Sequence, residues 1–278
     1  MKTTQDILET NKKQKEFYNT KKKNFATRIW SSLREKTLKN IRRETGMLQQ
    51  SYDLHKIWFG DLRNKKVLDL GCFAGNNLSL YLAENAKEYV GLDLSDVAIA
   101  QLNKRLAHIP TAKALAMDFL SDAFQETNFD IIYAYGVLHH FENVDVLISR
   151  LQEKLKPGGI VVSNDPLETS IPLKIMRVLY RPFQSDAEWE WPFTKKTYYA
   201  LAKAFTIEER HGLLGSAKWV FALYFLLLSA KKKLALGKNG MKKIGTSPPP
   251  LMRSCFDACM LPCLCKKNKP VGYLCKTY

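Results

Sequence analysis

Two adjacent histidines and an aspartate carry side chains suited to proton transfer. His139 and His140 follow one apolar run of the chain, and Asp165 ends the next one. A neutral imidazole beside a ligand can take a proton from a hydroxyl group during a reaction. We predict His140 as a general base and keep His139 and Asp165 as further candidates. The alternative, that these side chains cap a helix or pack beneath a loop, stays open.

Three further aspartates lie at the ends of three successive apolar runs. They are Asp69, Asp93 and Asp118. A carboxylate at such a position can accept hydrogen bonds from both hydroxyls of a ribose, which we expect of Asp93. Asp118 can accept from an adenine amino group while Phe119 lies against the ring. One such aspartate is as easily a helix cap, but three in succession indicate a nucleoside site.

A glycine turn joins the first apolar run to the start of a helix. Gly71 and Gly75 allow a sharp turn, and Asn76 or Asn77 can cap the helix after it. A dinucleotide site needs another glycine, where a pyrophosphate touches the backbone, and Phe73 occupies that position. A ligand without phosphate fits better, and S-adenosylmethionine is the common one. An ordinary strand-to-helix turn is the alternative.

Regular alternation of short apolar runs with helical stretches surrounds these residues. The predicted strands are residues 67–70, 89–94, 112–117, 129–134 and 159–165, and the helices between them are residues 78–85, 96–107 and 144–155. Apolar strands that alternate with helices predict a doubly wound parallel sheet. Ligands then bind at the carboxyl ends of the strands.

The flanking segments are predicted to complete the domain. Residues 11–45 have a helical apolar stripe that ends at Gly46, and residues 54–62 are predicted as a turn before the first strand. Lys195–Ala204 is predicted as a helix and residues 205–210 as a strand, with residues 271–277 as its antiparallel partner. The expected fold is therefore a seven-stranded, mostly parallel sheet with N-terminal helices and a helical insertion before the last strand.

Taken together, these motifs resemble the class I S-adenosylmethionine-dependent methyltransferases, which have this Rossmann-like fold. The matching stretches, within about residues 60–168, are Val-Leu-Asp69-Leu-Gly71-Cys-Phe-Ala-Gly75, Val-Gly-Leu-Asp93-Leu-Ser, Ala-Met-Asp118-Phe, Tyr-Gly-Val-Leu-His-His140-Phe and Leu-Lys-Pro157-Gly158-Gly159. The resemblance implies that Cys72, Leu94 and Tyr135 also belong to the cofactor site. Phe73 departs from the family's glycine pattern, which puts the loop conformation in question.

The same resemblance implies two covers over the site. A tyrosine of the N-terminal helices closes over the cofactor, and Tyr18 is the candidate here. An insertion after the fifth strand lids the acceptor, which makes Arg181, Trp189 and Trp191 candidate acceptor contacts within residues 166–193. That segment is rich in proline and aromatic residues and is predicted to be irregular. A surface loop with its aromatics packed on the core is the alternative.

Charge is distributed unevenly along the chain. The net charge is +10 over residues 1–66, −7 over residues 67–170 and +13 over residues 171–278. We divide the chain into a basic helical cap (1–60), a methyltransferase core (61–215), a hydrophobic and cysteine-rich insertion (216–268) and a last strand (269–278). Basic flanks favour an anionic partner, either a membrane surface or nucleic acid, although scattered surface lysines are an alternative.

The insertion contains the strongest membrane signal in the sequence. Residues 219–228 are apolar on every side and are flanked by lysines, but they are too few to span a bilayer. They fit either an interfacial helix or a buried core helix. Four cysteines follow at Cys255, Cys259, Cys263 and Cys265, without the paired C-x2-C spacing of structural zinc sites, so we predict packing residues and no metal. Zinc binding and acylation beside a membrane helix are the alternatives.

These observations predict an S-adenosylmethionine-dependent methyltransferase that methylates an oxygen of a small-molecule or lipid-linked acceptor. RNA methylation is an alternative, disfavoured because the Asn/Asp-Pro-Pro-Tyr loop typical of base methylation is missing after the fourth strand. A membrane-associated partner that binds the cofactor without catalysis is another. The first ten residues lack the apolar centre of a secretory signal, so we expect a cytoplasmic protein with peripheral membrane contact.

Overall fold

Strands and helices alternate through the central part of the chain. The computed structural model describes residues 4–20, 25, 46–169, 171–184, 187–212, 229, 232, 235 and 260–268. The strands are β1 Lys66–Leu70, β2 Glu88–Asp93, β3 Ala112–Ala116, β4 Phe129–Tyr135, β5 Leu155–Pro166, β6 Thr206–Arg210 and β7 Met260–Lys266. The helices are α1 Thr4–Thr20, α2 Met47–Phe59, α3 Asn77–Asn85, α4 Asp96–Leu106, α5 Val144–Lys154, α6 Ile171–Tyr180 and α7 Lys195–Ala204.

All seven strands belong to one sheet, in the order β3-β2-β1-β4-β5-β7-β6. The first five pair in parallel, whereas β7 runs antiparallel to both β5 and β6. Strand order reverses between β1 and β4, so the carboxyl ends of these two strands flank the crevice where doubly wound sheets bind ligands. The predicted fold is confirmed.

Helices cover both faces of this sheet, because side chains of a strand alternate between the two faces. One buried cluster joins the strands to α2, α3 and α4, and includes Trp58, Leu82 and Leu102. The other joins the strands to α5 and α7, and includes Leu151 and Leu201. Because both faces of the sheet are buried, a ligand can reach polar groups of the sheet only at the strand ends.

The first turn of α3 is held as the sequence predicts. Asn76 caps α3, and its side chain accepts hydrogen bonds from the backbone N–H groups of Leu78 and Ser79. The Ser79 hydroxyl accepts in return from the Asn76 backbone N–H, which completes a capping box. Three backbone N–H donors are thus satisfied, and α3 begins directly after the glycine turn.

The N-terminal region differs from the prediction. Residues 54–62, predicted as a turn, lie largely within helix α2, which buries Trp58 and Phe59 against the sheet. Gly46 directly precedes α2 with a left-handed backbone (φ 66°). The helix predicted to begin at residue 11 is confirmed as far as residue 20, and this helix, α1, begins earlier, at Thr4. Most of the remaining stretch predicted as helix, up to residue 45, lies outside the described residues.

The position of the last strand is a second correction. The strand between β5 and β6 is β7 at Met260–Lys266, not residues 271–277, which lie outside the described residues. The sequence did not predict this strand because it contains Pro262, and a proline argues against a strand with neighbours on both sides. Its carbonyl nevertheless accepts a hydrogen bond from the His211 backbone N–H (3.0 Å), and Cys263 and Cys265 are buried among core side chains. Their packing role is the one predicted from sequence.

The segment between β5 and α7, which we call the lid segment, is a third correction. Its sequence predicts irregular structure, but it contains α6 and two short 3-10 turns, Arg181–Phe183 and Ala187–Trp189. Its two ends are joined by a bridge between Leu167 and Phe193, and the Glu168 N–H donates to the Phe193 carbonyl (2.8 Å). The lid segment is therefore a closed loop based at the carboxyl edge of the sheet.

No helix within the described ranges is both long enough and apolar enough to cross a bilayer. The apolar stretch of residues 219–228 and the cysteines Cys255 and Cys259 lie outside those ranges. The proposed domain boundaries stay predictions.

Candidate active site

A cavity of about 210 Å³ lies at the carboxyl edge of the sheet, beneath α1. Its walls come from the ends of β1, β2, β3 and β4, from the loops after them and from one face of α1. The lining residues are Asn11, Gln14, Tyr18, Leu70, Gly71, Phe73, Leu92, Asp93, Leu94, Met117, Asp118, Phe119, Gly136, Val137, His140 and Phe141. Seven residues predicted from sequence are among them: Tyr18, Gly71, Asp93, Leu94, Asp118, Phe119 and His140.

The turn after β1 forms the floor of the cavity. Gly71 adopts φ 70°, and a Cβ atom there would lie 2.4 Å from Val137 Cγ2, so no other residue fits. Phe73 also adopts a left-handed conformation (φ 47°), which is uncommon for a residue with a side chain. The turn therefore keeps a glycine-like backbone at Phe73. Arg105 holds it from outside by donating to the carbonyls of Ala74 (2.6 Å) and Gly75 (2.8 Å).

Asp93 ends β2 with both carboxylate oxygens held by backbone donors. Oδ2 accepts from the Phe73 N–H (3.0 Å) and Oδ1 from the Ser95 N–H (2.8 Å). Burial raises the pKa of this carboxyl, whereas the backbone donors act in the opposite direction. Each oxygen keeps a further lone pair, so Asp93 is fixed in orientation and can still accept from a ligand.

Asp118 follows β3 and lines the cavity. Its Oδ1 accepts from the Leu120 N–H (2.9 Å), and its Oδ2 accepts from the Asn11 side-chain amide of α1 (2.7 Å). Phe119, next in the chain, is almost fully buried. α1 thus contacts an atom that the sequence predicts as a ligand acceptor.

His140 lies where the loop after β4 meets the lid segment. Its Nδ1 lies 2.7 Å from the carbonyl oxygen of Trp189, and its Nε2 lies 3.4 Å from the Tyr18 hydroxyl. A carbonyl can only accept, so the neutral ring carries its proton on Nδ1 and its lone pair on Nε2. Burial, followed by the neighbouring His139, lowers the pKa of His140 to about 3.

His139 and Asp165 form a buried pair behind His140. The Asp165 Oδ1 atom accepts from the His139 backbone N–H (3.1 Å) and lies 2.9 Å from its Nδ1. The two histidine rings lie 4.1 Å apart between centroids. Neither His139 nor Asp165 lines the cavity, so they can act on a ligand only through His140.

The methyltransferase domain family matches residues 30–209. This range includes every helix and strand described above except α1, β7 and the last residue of β6. This match covers more than half of the chain. The chain belongs to this family of S-adenosylmethionine-dependent methyltransferases.

Several curated proteins are similar in sequence to part of this methyltransferase. An uncharacterized protein of Haemophilus influenzae is 32% identical over 114 residues, which cover 37% of this chain and 42% of that protein. A tRNA U34 carboxymethyltransferase of Pseudoalteromonas atlantica is 31% identical over 36% of this chain and 32% of its own length. A demethylmenaquinone methyltransferase of Staphylococcus aureus is 26% identical over 51% of this chain and 67% of its own. The chain thus spans less than half of the first two.

Solved methyltransferases share the fold at low identity. The N-methyltransferase NodS from Bradyrhizobium japonicum WM9 aligns with a TM-score of 0.51 at 16% identity, covering 80% of this chain and 97% of its own. Geranyl diphosphate C-methyltransferase from Streptomyces coelicolor A3(2), in complex with S-adenosyl-L-homocysteine, aligns with a TM-score of 0.51 at 13% identity, covering 80% of both chains. One fold thus serves both nitrogen and carbon methylation.

The cavity of this methyltransferase fits S-adenosylmethionine by its chemistry. Its lining residues, all within the described ranges, include two carboxylates and no lysine or arginine. Such a lining suits the hydroxyls and cationic end of this cofactor and offers no lysine or arginine to a phosphate. At about 210 Å³ the cavity is smaller than most ligand pockets, which measure roughly 300–1,000 Å³. Helix α1 forms the outer wall of this cavity.

Four residues predicted to bind the cofactor lie behind the cavity wall. Asp69 is 2% exposed and accepts from the Tyr89 hydroxyl (2.8 Å), and burial raises its pKa to about 7. Cys72 is buried, and burial raises the pKa of its thiol well above the ordinary value. Gly75 (φ 79°) packs against α4, and the Tyr135 ring packs against Tyr52. Their contacts in this structure are with the core, and a direct ligand contact stays a prediction for each.

The predicted acceptor residues divide between two places. Trp189 meets His140 through its backbone carbonyl. Arg181 and Trp191 line a second cavity of about 550 Å³, which does not include His140 and is bordered by Glu142, Glu168 and Glu190. The structure therefore separates these two side chains from the predicted base.

One group of titratable side chains has the composition of a metal site. Ligand atoms of His139, His140 and Glu190 lie within 4.8 Å of one another. Glu190 already accepts from the Gln184 amide (2.6 Å) and lies 3.9 Å from the Arg177 guanidinium. A cation at that distance opposes metal binding, and we assign no metal here.

Sequence reasoning missed the contribution of α1 to the cavity apart from Tyr18. Asn11 and Gln14 share a face with Tyr18, at helical spacings of three and seven residues from Asn11. Both are uncharged polar residues in a helix rich in lysine and glutamate. That break in the charge pattern was the available signal.

Proposed function

We propose that this methyltransferase transfers the methyl group of S-adenosylmethionine to an oxygen atom of a small-molecule or lipid-linked acceptor. The observation that carries the proposal is the orientation of His140. Its Nδ1 is committed to the Trp189 carbonyl, and its Nε2 lone pair faces the cavity and the Tyr18 hydroxyl. With a pKa near 3, the ring is neutral at physiological pH and can accept a proton there.

We assign the donor to the wall formed by the ends of β1, β2 and β3. Asp93 would accept from the two ribose hydroxyls, because its oxygens are fixed by backbone donors. Asp118 would accept from the adenine amino group, with the ring against Phe119 and Met117. When bound, S-adenosylmethionine supplies an electrophilic methyl group. The residues of the site position that group against the acceptor, which accounts for much of the catalysis in such a displacement.

Proton removal is the step assigned to His140. An acceptor hydroxyl that replaces the Tyr18 hydroxyl at Nε2 would give its proton to that nitrogen as the oxygen gains the methyl group. A weakly basic imidazole suffices, because the proton becomes far more acidic as the new carbon–oxygen bond forms.

RNA methylation is the second candidate function. It is favoured by the basic flanks of the chain and by the similarity to a tRNA-modifying enzyme. The loop after β4, residues 135–141, argues against it, because it lacks the Asn/Asp-Pro-Pro-Tyr sequence typical of base methylation. A protein that binds the cofactor without catalysis is the third.

Radiolabelled S-adenosylmethionine, incubated with the protein and a fractionated cell extract, tests these alternatives. We expect label in an organic-soluble product with a new methyl ether, identified by mass spectrometry. Label in RNA would support the second function, and label on nitrogen or carbon would contradict O-methylation. Donor binding by calorimetry without any labelled product from a complete extract would support the non-catalytic alternative.

A further inference from the structure

Helix α6 exposes a continuous apolar face. Ile171, Ile175, Val178 and Leu179 are exposed by 74%, 56%, 70% and 67%. They lie at spacings of four, seven and eight residues from Ile171, so they share one side of the helix. Elsewhere in the described part of the chain, large exposed hydrophobic residues occur at most singly on each helix or strand, apart from two on α2. Such a concentration of apolar surface indicates a binding face.

The charged residues of α6 and of the turn after it are all positive, and Arg181 also borders the second cavity with Glu142, Glu168 and Glu190. From Ile171 to Gln184 the chain carries Lys174, Arg177 and Arg181 and no aspartate or glutamate. Lys174 and Arg181 are exposed, whereas Arg177 is largely buried and lies 3.9 Å from Glu190. An apolar helix face bordered by exposed cations is the composition of helices that lie in the surface of an anionic bilayer.

We propose that α6 docks this protein on an anionic lipid membrane, with its apolar face among the acyl chains and Lys174 and Arg181 at the headgroups. Ten residues of helix extend about 15 Å, which is half the thickness of the hydrocarbon core, so the helix lies in the interface and does not cross it. The occupant is therefore a lipid surface of negative charge.

Docking at α6 also brings the membrane to the candidate active site. The lid segment that carries α6 donates the Trp191 N–H to the His139 carbonyl (2.7 Å) and supplies the Trp189 carbonyl to His140. A membrane bound at α6 is therefore joined to His140 through one short segment. This step, which makes the acceptor a membrane lipid, rests on the proposed function, whereas the docking itself does not.

Vesicle flotation tests the docking with the full chain and no methyl transfer. We expect binding to phosphatidylcholine vesicles that contain phosphatidylglycerol, with weaker binding when phosphatidylglycerol is omitted or salt is raised. The double variant Ile175→Ser/Val178→Ser should bind at least about tenfold more weakly, because each side chain loses its apolar contact with lipid. Lys174→Glu/Arg181→Glu should lose the preference for phosphatidylglycerol.

A matched control uses two exposed apolar residues outside α6. Ile57→Ser/Val97→Ser replaces side chains that are 75% and 51% exposed, and it should bind vesicles within about twofold of the unaltered protein. Equal binding by the α6 variant would overturn the proposal and place the contact elsewhere. A lower melting temperature of the α6 variant would mean that another segment of the chain covers the face, and loss of a dimer in light scattering would mean that a second copy does.

Donor binding by calorimetry keeps this test separate from the proposed function. The α6 variants should bind S-adenosylhomocysteine as the unaltered protein does, because none of the changed residues lines the cavity of about 210 Å³ that we assign to the donor. A protein that binds vesicles through α6 and methylates no lipid would retain the docking and contradict only the lipid acceptor.

Discussion

His140 Nδ1 donates a hydrogen bond of 2.7 Å to the carbonyl oxygen of Trp189, which joins the loop after β4 to the lid segment. The contact uses the backbone of Trp189, so it fixes the tautomer of His140 whatever the side chain at position 189 is. The lid segment therefore contributes to the chemistry of the site through one carbonyl.

Replacing His140 tests the predicted base. We expect His140→Ala to lower kcat by ~10²–10⁴-fold, because the acceptor then lacks a group that removes its proton. Affinity for S-adenosylhomocysteine, measured by calorimetry, should change little. His108→Ala, at an exposed position, is the control. Equal turnover of His140→Ala and the unaltered protein would remove this residue from the mechanism.

The buried carboxyl of Asp69 predicts an unusual dependence of stability on pH. Its pKa is raised from 3.8 to about 7 by burial, so the folded protein binds this proton more tightly than the unfolded chain. The stabilisation is complete below about pH 4 and is lost as pH rises through about 7. The loss is on the order of 2–4 kcal/mol for a shift of this size.

Asp69→Asn removes that titration and keeps an acceptor for the Tyr89 hydroxyl. Between about pH 5 and pH 8, the free energy of unfolding in urea should fall less for the variant than for the unaltered protein. Parallel pH profiles of the two proteins would show that Asp69 does not carry the effect. Since Asp69 lies behind the cavity wall, its replacement should also weaken donor binding less than Asp93→Asn does.

The part of the site that lies at strand ends could be predicted from the sequence. A parallel sheet brings the carboxyl ends of its strands together, so strand boundaries alone place Gly71, Asp93, Asp118 and His140 correctly. They do not place Asp69, because a residue within a strand can point into the core or toward the edge, and strand position alone does not distinguish the two.

Elements that depend on distant pairing were harder to predict. β7 has proline and cysteines in place of β-branched residues, and only its two neighbours show that Met260–Lys266 is a strand. Asn11 and Gln14 approach the site only because α1 packs over it, through contacts such as that between Asn19 and Ser95 (2.7 Å). Such contacts leave little trace in local sequence.

The conformation of Phe73 predicts the effect of a glycine at that position. A residue with a side chain is strained at φ 47°, whereas glycine is not. Phe73→Gly and Phe73→Ala both remove the ring, so their difference isolates the backbone. We expect the glycine variant to be more stable by about 1 kcal/mol in urea unfolding.

The adjacent residue offers a control for this comparison. Ala74 does not have a positive φ, so Ala74→Gly should destabilise the turn instead of stabilising it. An alanine variant at position 73 that equals or exceeds the glycine variant in stability would mean that the turn relaxes to an ordinary conformation.

The contact between Asn11 and Asp118 predicts competition between α1 and the cofactor. The Asn11 amide donates to Asp118 Oδ2 (2.7 Å), the atom that we assign to the adenine amino group. We expect the adenine amino group to replace the Asn11 amide at this oxygen, and a hydrogen bond to a carboxylate stabilises by roughly 1.5–3 kcal/mol. Asn11→Ala should therefore bind S-adenosylhomocysteine up to about tenfold more tightly in calorimetry.

Asn19→Ala separates competition from simple loosening of α1. Asn19 holds the same helix through Ser95 and Asp96 and does not contact Asp118. If Asn11 competes for Asp118, its replacement should increase the preference for S-adenosylhomocysteine over the inosine analogue, which lacks the amino group, whereas Asn19→Ala should change both affinities equally. An identical response of the two variants would mean that α1 controls access only by opening, because no single atom of Asp118 would then be contested.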